Sequence, residues 1–221
     1  MKTNAQKYVF VTAAMLAAIT LVMGFTPLGF IPLPFVKLTI IHIPVILGSI
    51  LLGPKYGAML GFLFGLTSLV NNTITPAITS FTFSPLIPLP GTAQGTPLAL
   101  LVCFLPRILV GIFPYYAYRG VDRLTKGRGG HISAFAVGGV AGALTNTVFV
   151  MGLIYFFFRD AYAAAKGVAP EAVPGIILGI VSFNGVIEAV AAGILIPAIA
   201  KALLRYTKVG RVQIEKAVQK T

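Results

Sequence analysis

Apolar runs bounded by Pro, Gly or charge follow one another along the whole chain, and six of them approach the ~20 residues that an α-helix needs to cross a bilayer. They cover residues 7–25, 36–52, 55–70, 97–118, 131–158 and 173–204. A soluble domain of 221 residues could bury a sizeable core. It would need far more charge for its surface than this chain has, where 57% of residues are hydrophobic and 10% charged. The expected fold is therefore an all-α membrane protein with six transmembrane helices, one domain over residues 1–221. The second and third runs are the shortest, and the last two must tilt or extend into the interface. Lys2 and Lys7 ahead of an apolar stretch imitate a secretory signal, but residues 8–25 are long enough to span and further spans follow. That segment is read as a retained first helix.

Basic residues near span ends resist translocation, so their distribution sets the orientation. With the amino terminus inside, the cytoplasmic segments hold Lys2, Lys7, Lys55, Arg119, Arg123, Lys126, Arg128, Lys201, Arg205, Lys208, Arg211, Lys216 and Lys220. The outer segments hold only Lys37, Arg159 and Lys166, and Arg107 lies inside a span. The asymmetry places both termini in the cytoplasm. It also accounts for the net charge of +12 without nucleic acid, because the basic residues flank spans.

Several chemistries are excluded. Cys103 is the only cysteine, so there is no intramolecular disulfide and no cysteine metal cluster. His42 and His131 are too few and too far apart for a metal site and are read as structural. There is no phosphate-cradling Gly-rich loop with Lys, no nucleophile elbow, no zinc-protease helix and no close pair of membrane carboxylates. Neither catalysis, metal nor cofactor is expected, and any energy must come from a partner.

Helices in lipid associate through small residues that let backbones approach. Gly57, Gly61 and Gly65 in the third span, and Gly138 with Gly142 in the fifth, are expected to pack this chain's own bundle. In the first span Ala13, Ala14, Ala17 and Ala18 form two overlapping Ala-xxx-Ala pairs, a candidate face for a partner. The connection over residues 71–96 is uncharged, rich in Thr, Ser and Pro, and stiffened by Pro85, Pro88 and Pro90. Loops of that length are often lids or binding loops, the other reading being a passive loop on the headgroup surface.

A charge at membrane depth costs about 3 kcal/mol on insertion scales, so such groups mark cavities or partners. The candidates are Arg107, Asn146, Asn184 and Glu188, with Asn71 and Asn72 at the outer end of the third span. Counting ~1.5 Å per residue from the outer helix ends puts Arg107 and Asn184 about 15 Å deep and Asn146 about 18 Å deep, with Glu188 one turn below Asn184. Two readings are open. One is an outward-opening pocket in which the Arg107 fork takes a substrate carboxylate. The other is an Arg107–Glu188 ion pair with asparagines bonding between helices.

The Leu-Gly-Pro-Lys-Tyr-Gly turn at residues 52–57, the alanine face, the long third loop and the six-span layout resemble the substrate-binding (S) components of energy-coupling factor vitamin transporters, over nearly the whole chain. GPKYGAMLGFLFGLTSLVNNT at residues 53–73 and PRILVG at residues 106–111 look most like the pantothenate-specific members. The resemblance implies high-affinity capture of a vitamin from outside and delivery by toppling in the bilayer. It implies docking of Ala13, Ala14, Ala17 and Ala18 on a transmembrane coupling subunit driven by two ATPases, with residues 26–35 and 71–96 closing over the ligand. Pantothenate offers one carboxylate for Arg107 and amide and hydroxyl groups for the asparagines. Few aromatics lie at comparable depth and there is no Trp, which speaks against a large ring such as riboflavin, while Tyr155, Phe156 and Phe157 keep it open, as folate also remains. The competing function is a proton-coupled secondary transporter with Glu188 as carrier.

Overall fold

The computed structural model describes residues 2–32, 37–125 and 131–206. Six of the basic residues used for orientation, Lys126, Arg128, Lys208, Arg211, Lys216 and Lys220, lie outside them, as does Val36, the expected start of the second span.

Among the described residues the regular structure is helical apart from one small hairpin. Helix α1 (Lys2–Phe25) leads into strands β1 (Phe30–Pro32) and β2 (Lys37–Thr39), paired antiparallel with Phe30 opposite Thr39. Helices α2 (His42–Leu52) and α3 (Pro54–Ile74) follow, then α4 (Leu98–Val110), α5 (Phe113–Leu124), α6 (His131–Lys166), α7 (Val173–Ile180) and α8 (Val186–Tyr206). Among the described residues, five helical segments are long and apolar enough to cross a membrane: Gln6–Phe25, Pro54–Ile74, Leu98–Leu124, His131–Lys166 and Pro170–Leu203.

The second expected span is the one that changes most. Residues 37–39 are strand, and α2 has only 11 residues, about 16 Å of helix and half of a bilayer core. All of its residues are buried. Such a short element, with hairpin backbone at its end, is tolerated at membrane depth because protein rather than lipid surrounds it. Gly53, at φ 96°, followed by Pro54 in the first turn of α3, reverses the chain at its other end.

The fourth expected span is two helices. Pro114 has no N–H for the Val110 carbonyl and its ring crowds that turn, so α4 stops and α5 restarts after Gly111 and Ile112. In α6 the backbone at Phe158, where the sequence placed the end of the fifth span, leaves helical geometry at φ −132° and ψ 15°, and the helix continues to Lys166. The sixth span is continuous but contains a π-helical turn, Val181–Gly185, between α7 and α8.

The glycine ladders pack the chain's own bundle. On α3, Gly57 lies against the Gly111 carbonyl, Gly61 against the Arg107 carbonyl and Gly65 against the Phe104 ring. The Cys103 thiol donates to the Gly65 carbonyl at 3.3 Å. On α6, Gly138 and Gly142 receive Ile50 and Ile46 of α2.

The buried apolar side chains form two clusters rather than one. The first joins α1, α2, α3, the end of α4 and the facing parts of α6 and α8, among them Leu16, Ile46, Leu60, Phe64, Val110, Ala143 and Ala192. The second lies at the end carrying the long loop and joins Phe81 of that loop to Val102, Val150, Ile154, Phe158 and Ile177.

A Cβ on Gly61 would meet helix backbone, which has nowhere to move. Gly61→Ala is expected to lower the thermal stability of the purified protein by about 1–3 kcal/mol. Gly152→Ala, whose Cβ would meet nothing within 4 Å, is expected to be neutral or stabilising by up to about 1 kcal/mol.

Candidate functional site

Between the two apolar clusters lies a polar layer. On α4 it falls between Val102 and Val110, on α6 between Ala143 and Val150, and on the last helical segment between Ile177 and Ala189. Arg107, Asn146, Thr147 and Glu188 sit in those intervals, and all four are buried. Three helices therefore bring polar groups into the interval between the two clusters.

Arg107 is 7% exposed. Its Nη1 donates to the Val102 carbonyl at 2.9 Å, so the side chain turns back along its own helix toward the long loop. Its guanidinium carbon is 5.0 Å from the Phe83 ring centroid and 5.4 Å from that of Phe64. A desolvated cation over an aromatic face gains about 2 kcal/mol, so the two rings offset part of the burial cost. Nε has no hydrogen-bond partner. The two phenylalanines correct the expectation that few aromatics lie at this depth, whereas Phe156 and Phe157 face outward.

Glu188 does not form an ion pair with Arg107: its oxygens are taken by other groups. Oε1 accepts from the Thr39 backbone N–H at 2.9 Å and Oε2 from the Thr147 hydroxyl at 3.1 Å. The carboxylate thus ties the hairpin to α8 and α6. Asn184 is half-buried in the π-helical turn one turn away, a backbone irregularity of the kind frequent at functional sites.

Asn71 and Asn72 serve as ties nearer the loop end. Asn71 Nδ2 donates to the Gly24 carbonyl at the end of α1. Asn72 Nδ2 donates to the Ser68 carbonyl at 2.8 Å, and its Oδ1 accepts from Ser80 Oγ at 2.7 Å. With Thr73 Oγ 2.7 Å from Ser84 Oγ, these bonds fold the long loop down, and its Phe81 and Phe83 reach the interior. The loop is folded into the bundle rather than lying on its surface.

Two polar side chains in the layer stand out. Asn146 is 7% exposed and its Oδ1 has no partner. His42 is 2% exposed, and neither ring nitrogen has a partner in hydrogen-bonding geometry, although the Thr39 backbone lies beside the ring. A lone histidine in a sequence carries no signal of this kind. Only the enclosure of α2 reveals it. His131, by contrast, lies on the far side of the bundle beside Asp122 at 3.0 Å.

The alanine stretch of α1 divides. Ala13 is 2% exposed and Ala17 is half-buried against the first cluster, because the spacing of Ala13, Leu16 and Thr20 forms the inward stripe. Ala14 and Ala18 face outward with Val11, Met15 and Val22.

Residues 9–200 match the family described as ECF transporter, substrate-specific component. The chain belongs to that family. It is 41% identical over 160 residues to the pantothenic acid transporter PanT of Lactococcus lactis subsp. cremoris, covering 72% of this chain and 74% of that protein. It is 34% identical over 210 residues to the pantothenate transporter PanT of Leuconostoc mesenteroides subsp. mesenteroides, covering 92% and 95%. As an ECF substrate-specific component it is a multi-pass protein of the cell membrane and part of a transporter, not an enzyme.

In this S component the hairpin tether generates a direct test. Glu188→Ala strands the Thr39 N–H, a loss of about 1–3 kcal/mol, while the Thr147 hydroxyl keeps the Ala143 carbonyl at 3.3 Å. Hydrogen exchange at the Thr39 amide is expected to accelerate at least tenfold, while Glu188→Gln, which keeps an acceptor, stays near wild type.

Proposed function

We propose that this chain is the pantothenate-binding subunit of an ECF-type vitamin transporter. It acts as one six-span domain over residues 1–221, with both termini in the cytoplasm and the hairpin and long loop on the outer side. The charge asymmetry of the loops supports the orientation. The five long apolar segments, with α2 enclosed among them, support the span count.

The observation that carries the reading is the polar layer itself. Polar groups taken out of both water and lipid cost free energy unless something satisfies them, and this layer holds an arginine nitrogen, an amide oxygen and an imidazole without partners. A small molecule with a carboxylate at one end and hydroxyl and amide groups along its length answers that chemistry. In this reading Arg107 takes the carboxylate, Asn146 and Asn184 face the polar groups, Glu188 holds the hairpin over them, and Asn71 and Asn72 hold the long loop. The names of the two relatives support pantothenate. That Phe64 and Phe83 are both engaged by Arg107 speaks against stacking of a large ring such as riboflavin or folate.

Energy comes from outside the chain, through a transmembrane coupling subunit and two ATPases. Ala14 and Ala18 supply the outward part of the docking face on α1, with Ala13 and Ala17 letting that helix lie close on the bundle. The engagement of both Glu188 oxygens by Thr39 and Thr147 speaks against its use as a proton carrier.

Purified protein is expected to bind pantothenate without ATP. Arg107→Ala is expected to weaken binding at least tenfold, about 1.4 kcal/mol, as titration calorimetry would read. Unchanged affinity removes Arg107 from the site, and uptake driven by an ion gradient in liposomes holding this chain alone contradicts the dependence on a coupling module.

A further inference from the structure

The contacts between α2 and α6 form a ladder. Ile50 fills the space at Gly138, and Ile46 fills the space at Gly142, each so closely that a Cβ on the glycine would collide with the isoleucine. The residue numbers fall on one helix as they rise on the other, so the two helices run antiparallel there. One further turn on each, four residues and about 6 Å of rise, reaches His42 on α2 and Asn146 on α6. A second path leads to the same place. Thr39, three residues before His42, is tied through Glu188 to Thr147, the neighbour of Asn146.

The first two rungs are apolar and closed. The third has two polar side chains, and three of their atoms, both His42 ring nitrogens and Asn146 Oδ1, stand without a partner. His42 is 2% exposed with neither nitrogen in a hydrogen bond, and Asn146 is 7% exposed with a free Oδ1. Asn71, Asn72 and Glu188 are engaged in ties within the bundle, whereas these three atoms do not satisfy one another. Leaving them buried this way costs stability, and apolar side chains of similar shape would remove that cost.

We propose that His42 and Asn146 form the specificity-determining pair that reads the hydroxyl-bearing end of the ligand whose carboxylate Arg107 takes. A hydroxyl both donates and accepts. It can donate to Asn146 Oδ1 while accepting from the imidazole N–H of His42, or donate to the free imidazole nitrogen in the other tautomer. A ligand with a methyl or hydrogen in that position leaves both groups unpaired, which is how a buried polar site rejects a close analogue. This inference rests on the proposed vitamin-binding function and assigns that site a residue outside the expected set.

The test uses the full chain, purified without ligand, with pantothenate and with the analogue in which both pantothenate hydroxyls are replaced by hydrogen. His42→Phe and Asn146→Leu are each expected to weaken pantothenate binding at least tenfold and analogue binding less than threefold. His42→Gln, which keeps a polar group, is expected to recover part of the loss. The thermal midpoint of the ligand-free protein is expected to stay level or rise in the two apolar variants. Wild-type affinity in both variants overturns the proposal, and so does an equal loss for the two ligands. A fall in the ligand-free midpoint also overturns it, because it marks a structural role. Wild type that ignores pantothenate but holds riboflavin or folate overturns both readings, because riboflavin has no carboxylate for Arg107 and folate has no hydroxyl-bearing chain for the pair. Wild type that holds none of the three overturns both.

Discussion

A guanidinium enclosed in a membrane bundle has to be held by groups that compensate for lost water, and the arrangement around Arg107 depends on that requirement. The Val102 carbonyl accepts one of its N–H groups, and Phe64 and Phe83 lie over its faces. Phe64 comes from α3, which reaches α4 only because Gly57, Gly61 and Gly65 remove the side chains that would separate them. Phe83 comes from the long loop, which descends far enough only because Asn72 and Thr73 bond its serines. Glycine ladder, folded loop and buried arginine are thus parts of one solution. In water none of the three would be needed, since surface charge hydrates itself and helices pack through their apolar stripes.

The same constraint divides the interior into two apolar clusters with a polar layer between them. Both segments on the loop side are fastened to that layer: the hairpin through Thr39 to Glu188, and the long loop through Phe83 to Arg107. In the proposed reading a ligand entering the layer meets the very groups that hold its two covers. Binding and closure then share partners, so occupancy of the site and position of the covers are linked without any long-range relay. On the far side, α1 presents an outward face of small and apolar residues, including Ala14 and Ala18, suited to lipid or to a partner helix.

Much of this was legible in the sequence for a physical reason: lipid penalises charge so strongly that Arg107, Asn146 and Glu188 stand out by their rarity. The span limits were legible where Pro, Gly or charge bounds them, and the end assigned at Phe158 coincides with a true break in helical geometry. Three features were not. The strand at residues 37–39 and the shortness of α2 follow from complete enclosure, which hydropathy does not encode. The division of the alanine stretch depends on which side of α1 meets α2 and α3, since Ala13 and Ala14 are identical as residues and opposite in burial. The roles of Asn71 and Asn72 as ties, and the unpaired state of His42, depend on which partners the fold brings near, and identity alone gives no hint of either.

The central claim is that the polar layer is a site for a small carboxylate ligand, and native mass spectrometry of protein extracted from membranes with no ligand added tests it most directly. The account predicts a bound species of pantothenate's mass on the wild type and its absence from Arg107→Ala. Protein carrying lipid alone, or a ligand retained equally by that variant, would contradict it.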